Sequence, residues 1–312
     1  MARKAKAVEP KKIKAAGIDP KKRISTAPDG LYDPAAYFRR LQDRLRSLVP
    51  APPAHEAGIE SEPLYVSVEK IIAPFEAMPE SWAVSGTTGY RFANVVNGLF
   101  VNAAAEARIT RTYQAFVGDN AAFEEVARRS KHLILRDALA SELTVMTNRL
   151  MRIARADRYT RDFTLNTLRR ALAEVIVAFP VYRTYIADEV APEDRRYIEW
   201  AVGLARRRSR TVDTGIFDFI KSALLGETPA GNPSLAAETR IFARKFQQLT
   251  APVMAKGVED TSFYIYNRLI SLNDVGGDPA TFGYSVSAFH GASIDRAEKW
   301  PHTMLATSTH DN

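Results

Sequence analysis

Residues 64–72 read LYVSVEKII, a short run rich in apolar and β-branched side chains. Such a run between breaker residues is typical of a buried β-strand. Upstream of it, Asp33-Pro34 has the form of a helix N-cap followed by proline in the first turn, which predicts a helix through residues 34–48. Downstream, residues 86–100 begin as a Gly/Thr loop and pass into a helical pattern.

A long block of the chain, residues 121–225, is almost wholly helical in pattern. Apolar residues recur at helical spacing in three stretches, Phe123–Ala154, Thr164–Phe179 and Arg195–Arg208. After a loop, Ser234 favours the start of another helix, and the pattern over 259–272 predicts one more.

Two further short runs predict strands, namely PVMAKG at 252–257 and MLATST at 304–309. Strands separated by long helical stretches favour an α/β fold with parallel pairing. The chain offers about three convincing strands, whereas a closed (β/α)8 barrel requires eight.

The charge of the chain is concentrated at its start. Of the formal net charge of +7, all resides in residues 1–23, where nine Lys or Arg face two acidic residues. Such a segment could contact nucleic acid or an anionic membrane. It could equally be a solvated, disordered tail, and the lack of aromatic residues for base stacking favours that interpretation.

Several classes of protein are excluded or disfavoured by composition. The chain has no cysteine, which rules out disulfides, thiolate nucleophiles and Cys-based zinc sites. It has no apolar run long enough to cross a membrane, and its start lacks the apolar core of a secretory signal. Its five histidines lack metal-ligand spacing, and no nucleotide-binding glycine motif occurs. These observations favour a cytoplasmic protein without metal or cofactor.

Carboxylates near strand ends are the remaining candidates for chemistry. Glu69 stands late in the strand LYVSVEKII, and Asp311 follows His310 directly after MLATST. In a β/α barrel, groups at the carboxyl ends of strands face the active site, where two carboxylates can perform acid/base work or stabilise charge. Taken alone, however, a strand-end Glu beside Lys is more often a surface pair, and a terminal His-Asp is more often exposed.

Longer stretches of sequence carry a resemblance to a known family. In order along the chain, they are PDGLYDPAAYFRRLQ, VEKI, GTTGY, FPVYRTYI, KGVEDTSFY, SLNDVGGDP and RAEKWPHTMLATSTHD. Together they resemble successive motifs of the maltooligosyltrehalose synthases, a family within the α-amylase superfamily of glycoside hydrolases. The resemblance runs from about Arg23 to Asp311.

The resemblance implies a fold and a division of the chain. It implies an α/β fold that is a partial (β/α)8 (TIM) barrel with a large, mostly helical insertion. Residues 1–22 would be a basic disordered tail, and 23–118 a barrel segment around strands four and five. Residues 119–250 would form the helical insertion, and 251–312 a truncated barrel segment around strands six and seven.

The resemblance also implies roles for individual residues. Glu69 matches the family's general acid/base, and His310 with Asp311 matches the pair that stabilises the transition state. Lys256, at the end of PVMAKG, and Arg23 are expected to bind substrate. The reaction would convert the reducing-end α-1,4 bond of a maltooligosaccharide into an α,α-1,1 bond, as in trehalose biosynthesis, and would use no cofactor.

The sequence departs from the family at the nucleophile. The family pattern Arg-x-Asp-His is replaced here by Arg23-Ile24 followed by Ser25-Thr26-Ala27, so no carboxylate stands near Ser25 where the nucleophile is expected. A serine hydroxyl without an adjacent base is a poor substitute. The chain is therefore expected to be an inactive fragment that lacks the N-terminal half of the barrel and the C-terminal region.

Two interpretations of function remain open. The first is an intramolecular transglucosylase by descent, acting on maltooligosaccharides and not on nucleic acid or membranes. The second is a non-catalytic helical module that binds glucan or a protein partner. The oligomeric state is left open by both.

Overall fold

The computed structural model describes residues 25–26, 28–48, 62–187, 189–209, 214–227 and 233–309. The strands are β1 (Ser25–Thr26), β2 (Ser67–Val68) and β3 (Gly86–Thr87). The helices are α1 (Pro34–Arg46), α2 (Tyr90–Leu99), α3 (Glu106–Val117), α4 (Phe123–Asp137), α5 (Ala140–Arg155), α6 (Leu165–Val177), α7 (Pro192–Arg208), α8 (Gly215–Leu224), α9 (Pro233–Met254), α10 (Phe263–Ile265) and α11 (Val286–Lys299). A π-helix spans Ala255–Ser262, and 3-10 turns span Pro28–Gly30, Ala103–Ala105 and Ile270–Leu272.

The three strands form a small parallel sheet in the order β1-β2-β3. Val68 at the end of β2 is in register with Thr26 of β1 and with Thr87 of β3. The predicted parallel α/β pairing is therefore present, in strands only two residues long. Because three short strands do not define a closed barrel, the partial (β/α)8 barrel stays a proposal.

Helix α1 covers one side of this sheet. It begins as the sequence predicts, since the Asp33 carboxylate accepts a hydrogen bond from the backbone N–H of Ala36 at 3.0 Å and Pro34 occupies the first turn. Phe38 of α1 is fully buried in a cluster with Val66 and Val68 around β2. This packing buries the side of β2 on which Val68 lies.

Helices α4 to α9 share one large apolar core. Each of α5 to α9 contributes at least one side chain that is at most 1% exposed, as the following set illustrates: Leu150, Leu172, Ile198, Phe217 and Phe242. The helical character predicted for residues 121–225 is confirmed. Of the predicted stretches, Phe123–Ala154 forms two helices, α4 and α5, with a break at 138–139.

The prediction of a strand at PVMAKG is wrong. Helix α9 continues through Pro252 to Met254 and passes into the π-helix that carries Lys256. Val253 is 1% exposed and belongs to the helical core, so burial holds this segment helical although proline lacks the N–H that a regular helix needs. The π-helix that follows is a rare form that occurs mostly as an insertion within α-helices.

The strand predicted at MLATST is also absent from the described residues. Its first residues nevertheless lie beside β3, because the backbone N–H of Met304 donates to the Thr87 carbonyl at 3.1 Å. The Thr303 hydroxyl occupies the neighbouring ladder positions, donating to the Thr87 carbonyl at 2.8 Å and accepting from the Thr87 N–H at 2.9 Å. A side chain thus replaces the backbone pairing that would extend a strand.

Two other predictions are modified. The Gly/Thr run at 86–90, expected as a loop, contains β3 before α2 begins. The helix predicted over 259–272 ends at Ile265, and only a 3-10 turn follows at Ile270–Leu272. The domain boundaries remain predictions; helix α9 crosses residue 250 without a break. In the described residues, no helix is long and apolar enough to cross a membrane.

Candidate active site at the strand ends

Glu69 lies at the carboxyl end of the middle strand of the sheet, directly after Val68. Its side chain is half-buried. Within the part of the chain that the structure describes, its carboxylate forms no hydrogen bond or ion pair. A half-buried carboxyl group without a structural partner can exchange a proton with a ligand or hydrogen-bond to it.

The backbone around Glu69 is held by the neighbouring strand. The Thr87 hydroxyl lies 2.9 Å from the Val68 carbonyl and 2.7 Å from the Lys70 carbonyl, and it accepts a longer bond of 3.3 Å from the Lys70 N–H. The Thr88 N–H donates to the Val68 carbonyl at 3.0 Å. One threonine thus bridges the residues on both sides of Glu69, which restricts the direction in which the carboxylate points.

A buried ion pair anchors the loop that follows. Lys70 Nζ lies 2.6 Å from Glu76 Oε1, and the two side chains are 0% and 3% exposed. The other carboxylate oxygen of Glu76 accepts from the Ala73 N–H at 3.1 Å, and the ammonium group sits 5.1 Å from the centroid of the Tyr185 ring. Buried charges are tolerated only when they are paired and hydrogen-bonded. This ion pair therefore holds together the two ends of the loop 70–76, which directly follows Glu69.

Arg183 joins this region to the helical block. It is 1% exposed and donates to the carbonyls of Asp29 and Leu31, each at 2.7 Å. The Tyr185 hydroxyl donates to the Asp29 carboxylate, and burial, reinforced by that negative charge, raises the pKa of Tyr185 well above its usual value. Asp29 is therefore engaged in structural contacts just beyond β1, beside the position where the nucleophile is expected.

Of the remaining predicted site positions, the structure describes Ser25 and Lys256. Arg23, His310 and Asp311 lie outside the described residues. Ser25 stands in β1 in register with Ser67, so the segment that lacks the nucleophile runs alongside the strand of Glu69. In the described residues, no group of three or more His, Cys, Asp or Glu is arranged to hold a metal ion.

Lys256 is not where the sequence placed it. It stands on the π-helix rather than at a strand end, is exposed, and lies 3.3 Å from the Asp260 carboxylate one turn away. The error follows from the misassigned strand PVMAKG. A role for Lys256 in substrate binding remains a proposal.

Sequence reasoning missed Lys70, Glu76, Arg183 and Tyr185 as determinants of this region. The motifs VEKI and FPVYRTYI contain three of these residues. Lys70 and Glu76 are only six residues apart, but the contacts of Lys70 with Tyr185 and of Tyr185 with Asp29 join positions more than 100 residues apart, which local spacing does not show.

Comparison with known proteins identifies a class, the maltooligosyltrehalose synthases, which the chain resembles in sequence and in structure. A Mycobacterium tuberculosis protein assigned provisionally as a maltooligosyl trehalose synthase is 29% identical over 286 residues, or 91% of this chain and 32% of its own length. The chain therefore spans about a third of the length of the curated relatives that it matches. No family model matches the chain.

Solved structures agree with this assignment. The maltooligosyltrehalose synthase of Arthrobacter ramosus is 31% identical, with a TM-score of 0.72, and the match covers 91% of this chain and 32% of that one. A hypothetical maltooligosyl trehalose synthase of Sulfolobus tokodaii is 25% identical, with a TM-score of 0.62, and the match covers 90% of this chain and 31% of that one. The resemblance inferred from the sequence motifs is confirmed.

Proposed function

We propose that this chain carries the acid/base part of a transglucosylation site of the maltooligosyltrehalose synthase type, with Glu69 as the general acid/base. The observation that carries the proposal is the position of Glu69, half-buried and without a partner in the described residues, at the end of the middle parallel strand. The similarity to maltooligosyltrehalose synthases supports maltooligosaccharide as the substrate class and a partial barrel as the setting.

In the proposed reaction, Glu69 delivers a proton to the glycosidic oxygen while the bond from that oxygen to the anomeric carbon breaks. A nucleophilic carboxylate forms a bond to the same carbon, and the released glucose becomes the acceptor. Its 1-hydroxyl gives its proton back to Glu69 and attacks the anomeric carbon, which releases the nucleophile and forms an α,α-1,1 bond. No water is consumed, so exclusion of water decides transfer over hydrolysis.

The other proposed roles concern charge and binding. Asp311, with His310, would stabilise the positive charge that develops at the anomeric carbon. Lys256 and Arg23 would hold substrate hydroxyls. Because Ser25-Thr26-Ala27 supplies no carboxylate, the purified chain is expected to form no trehalose-ended product from maltopentaose.

The test uses a chimera in which residues 23–311 replace the matching part of the Arthrobacter ramosus enzyme, with an Arg-x-Asp-His motif restored. Glu69→Gln in that chimera should lower turnover by roughly 10²–10⁴-fold, the usual contribution of a positioned general acid. Maltooligosaccharide binding should change little, because the amide keeps the shape of the carboxyl group.

Lys256→Ala serves as the matched comparison. As a binding contact made throughout the reaction, it should raise KM and leave most of the turnover. A Glu69→Gln chimera within a few-fold of its parent would refute the assignment of Glu69.

A further inference from the structure

The segment that follows α11 lies so close to β3 that two positions beside it have no room for a side chain. Gly86 has a φ of +148°, which residues with a side chain rarely adopt, and a Cβ there would lie 2.5 Å from Cα of Thr303. A Cβ at Gly89 would lie 2.4 Å from the backbone N of Ala306. Both glycines of the motif GTTGY are therefore needed for residues 303–306 to lie where they do.

The Thr303 hydroxyl fastens this segment to β3. It donates to the Thr87 carbonyl at 2.8 Å and accepts from the Thr87 N–H at 2.9 Å. The Met304 N–H donates to the same carbonyl at 3.1 Å, and the Tyr65 hydroxyl donates to the His302 carbonyl at 2.8 Å. Both main-chain polar groups of Thr87 are thus bound by a side chain that stands 216 residues later in the sequence.

The side chain of Thr87 carries this constraint to the strand of Glu69. Its hydroxyl lies 2.7 Å from the Lys70 carbonyl and 2.9 Å from the Val68 carbonyl. A hydroxyl has one proton to donate, and the Val68 carbonyl already accepts from the Thr88 N–H at 3.0 Å, so the hydroxyl proton serves the Lys70 carbonyl. The Lys70 N–H donates back to the same hydroxyl at 3.3 Å. Glu69 therefore stands between two residues whose main chain is held by Thr87.

Burial makes the inner part of this connection hard for water to replace. Thr87 is 8% exposed, Lys70 is 1% exposed and Val68 is fully buried, while Thr303 is half-buried. Without the Thr303 hydroxyl, the Thr87 N–H would lose its bond to that oxygen inside the protein. A buried donor that loses its acceptor is costly, so the main chain of β3 would shift or loosen to find another partner.

We propose that Thr303 is a positioning residue for Glu69 that acts through Thr87. We call the connection Thr303–Thr87–Lys70 the threonine link. It fixes the main chain next to Glu69 and thereby limits the directions in which the carboxyl group can point. Displacements of about 1 Å in a reacting group can lower the rate by as much as 10²-fold. The inference rests on the proposed function for the role of Glu69.

The first measurement is amide hydrogen exchange of the full chain, followed by mass spectrometry. Thr303→Val keeps the shape of the side chain but removes the hydroxyl, and it should speed exchange in residues 66–72 by roughly three- to tenfold, as expected for the loss of about one hydrogen bond. Thr303→Ser keeps the hydroxyl and should exchange as the wild-type chain does. Exchange within α6 should stay unchanged in both variants, which separates a local change from a loss of global stability.

Thr160→Val is the matched control. Thr160 is also half-buried, and its hydroxyl donates to the Ala154 carbonyl at 2.8 Å within the helical block. This variant loses a hydroxyl of the same kind outside the threonine link, so exchange in residues 66–72 should equal that of the wild-type chain. If Thr303→Val does not fold, Thr303→Ala removes the same bonds with a smaller side chain and is interpreted in the same way.

The second measurement is turnover in the chimera described above. Thr303→Val should lower kcat by roughly 10- to 100-fold and leave KM close to that of the parent, because orientation of the general acid affects the chemical step more than binding. Thr303→Ser should restore kcat. A purely structural role for Thr303 would instead lower the thermal midpoint and leave the kcat of the folded chimera unchanged.

Three results would overturn the inference. The first is unchanged exchange in residues 66–72 when the Thr303 hydroxyl is removed. The second is a Thr303→Val chimera with the kcat of its parent. The third is a Thr303→Ser variant that behaves as Thr303→Val does, because the hydroxyl would then not be the cause.

The outcome is separable from that of the proposed function. If Glu69→Gln abolishes turnover while Thr303→Val changes neither exchange nor kcat, the proposed function stands and this inference fails. If Thr303→Val speeds exchange in residues 66–72 while Glu69→Gln leaves turnover intact, the threonine link stands and the assignment of Glu69 as general acid fails.

Discussion

Removing either partner of the buried Lys70–Glu76 ion pair should destabilise the protein severely. With 2.6 Å between Nζ and Oε1, Coulomb attraction at an effective dielectric constant of about 20 amounts to about 6 kcal/mol. Desolvation of the two ions offsets much of that gain, so the intact pair contributes little net stability. A single substitution leaves the other group buried without its partner, at a cost of ~3–5 kcal/mol in the free energy of unfolding.

The appropriate assay is urea unfolding at pH 7, followed by far-ultraviolet circular dichroism. Lys70→Met and Glu76→Gln should each lower the free energy of unfolding by ~3–5 kcal/mol. The double variant should be no less stable than the worse single variant, because neither charge remains. The double-mutant cycle should therefore give a coupling energy on the order of 3 kcal/mol.

An exposed pair at the same separation provides the control. Lys299 Nζ lies 2.6 Å from Asp295 Oδ1, but the two side chains are 51% and 64% exposed. Asp295→Asn should leave the urea midpoint unchanged, because solvent screens an exposed pair. Single substitutions at Lys70 and Glu76 that cost under about 1 kcal/mol, or that add in the double variant, would refute the reasoning.

Further predictions concern the packing of α4 and the charge at the start of α7. A Cβ at Gly257 would lie 2.8 Å from Cγ and 3.0 Å from Cα of Lys131, so Gly257→Ala should cost ~1–3 kcal/mol in thermal unfolding. A Cβ at Gly203 on α7 meets nothing closer than 3.7 Å, so Gly203→Ala should instead raise the free energy of unfolding by ~0.5–1 kcal/mol. Equal changes in stability for the two variants would contradict both predictions. Burial raises the pKa of Asp194 to about 6, above its value in the unfolded chain. The protonated carboxyl group therefore contributes stability that is fully present below pH ~4 and is lost as the pH rises through about 6. Asp194→Asn should therefore be stabilising by roughly 1–3 kcal/mol at pH 7 and neutral at pH 4 in urea unfolding, and a gain at pH 4 as large as that at pH 7 would exclude this cause.

The elements that the sequence predicts correctly are those with a local cause. Asp33 and Pro34 start α1 because the capping carboxylate and the proline act within one turn. Helices α4 to α7 follow from apolar residues at helical spacing, which gives each helix a buried face. Glu69 was predicted as a site residue from its position late in the strand LYVSVEKII and from the resemblance of VEKI to a family motif, and its role stays a prediction.

The errors arise where distant contacts override local preference. Pro252 and Gly257 are breakers by themselves, yet Val253 is buried in the helical core and Gly257 packs against Lys131, so the chain stays helical there. At MLATST, the Thr303 hydroxyl pairs with both the N–H and the carbonyl of Thr87 on β3, so a side chain occupies positions that a backbone ladder would use.

By itself, the sequence determined that the chain has a helical block, a small number of strands and a carboxylate at the end of one of them. It also identified the class that the chain resembles. Only the tertiary structure decided that Lys70 is paired with Glu76 and that Arg183 and Tyr185 clamp the turn after β1. It alone placed Phe75 beside Trp200. These contacts form because the loop after β2 packs against the helical block. The sequence alone allows many other side-chain pairings, and close packing at that interface determines which of them form.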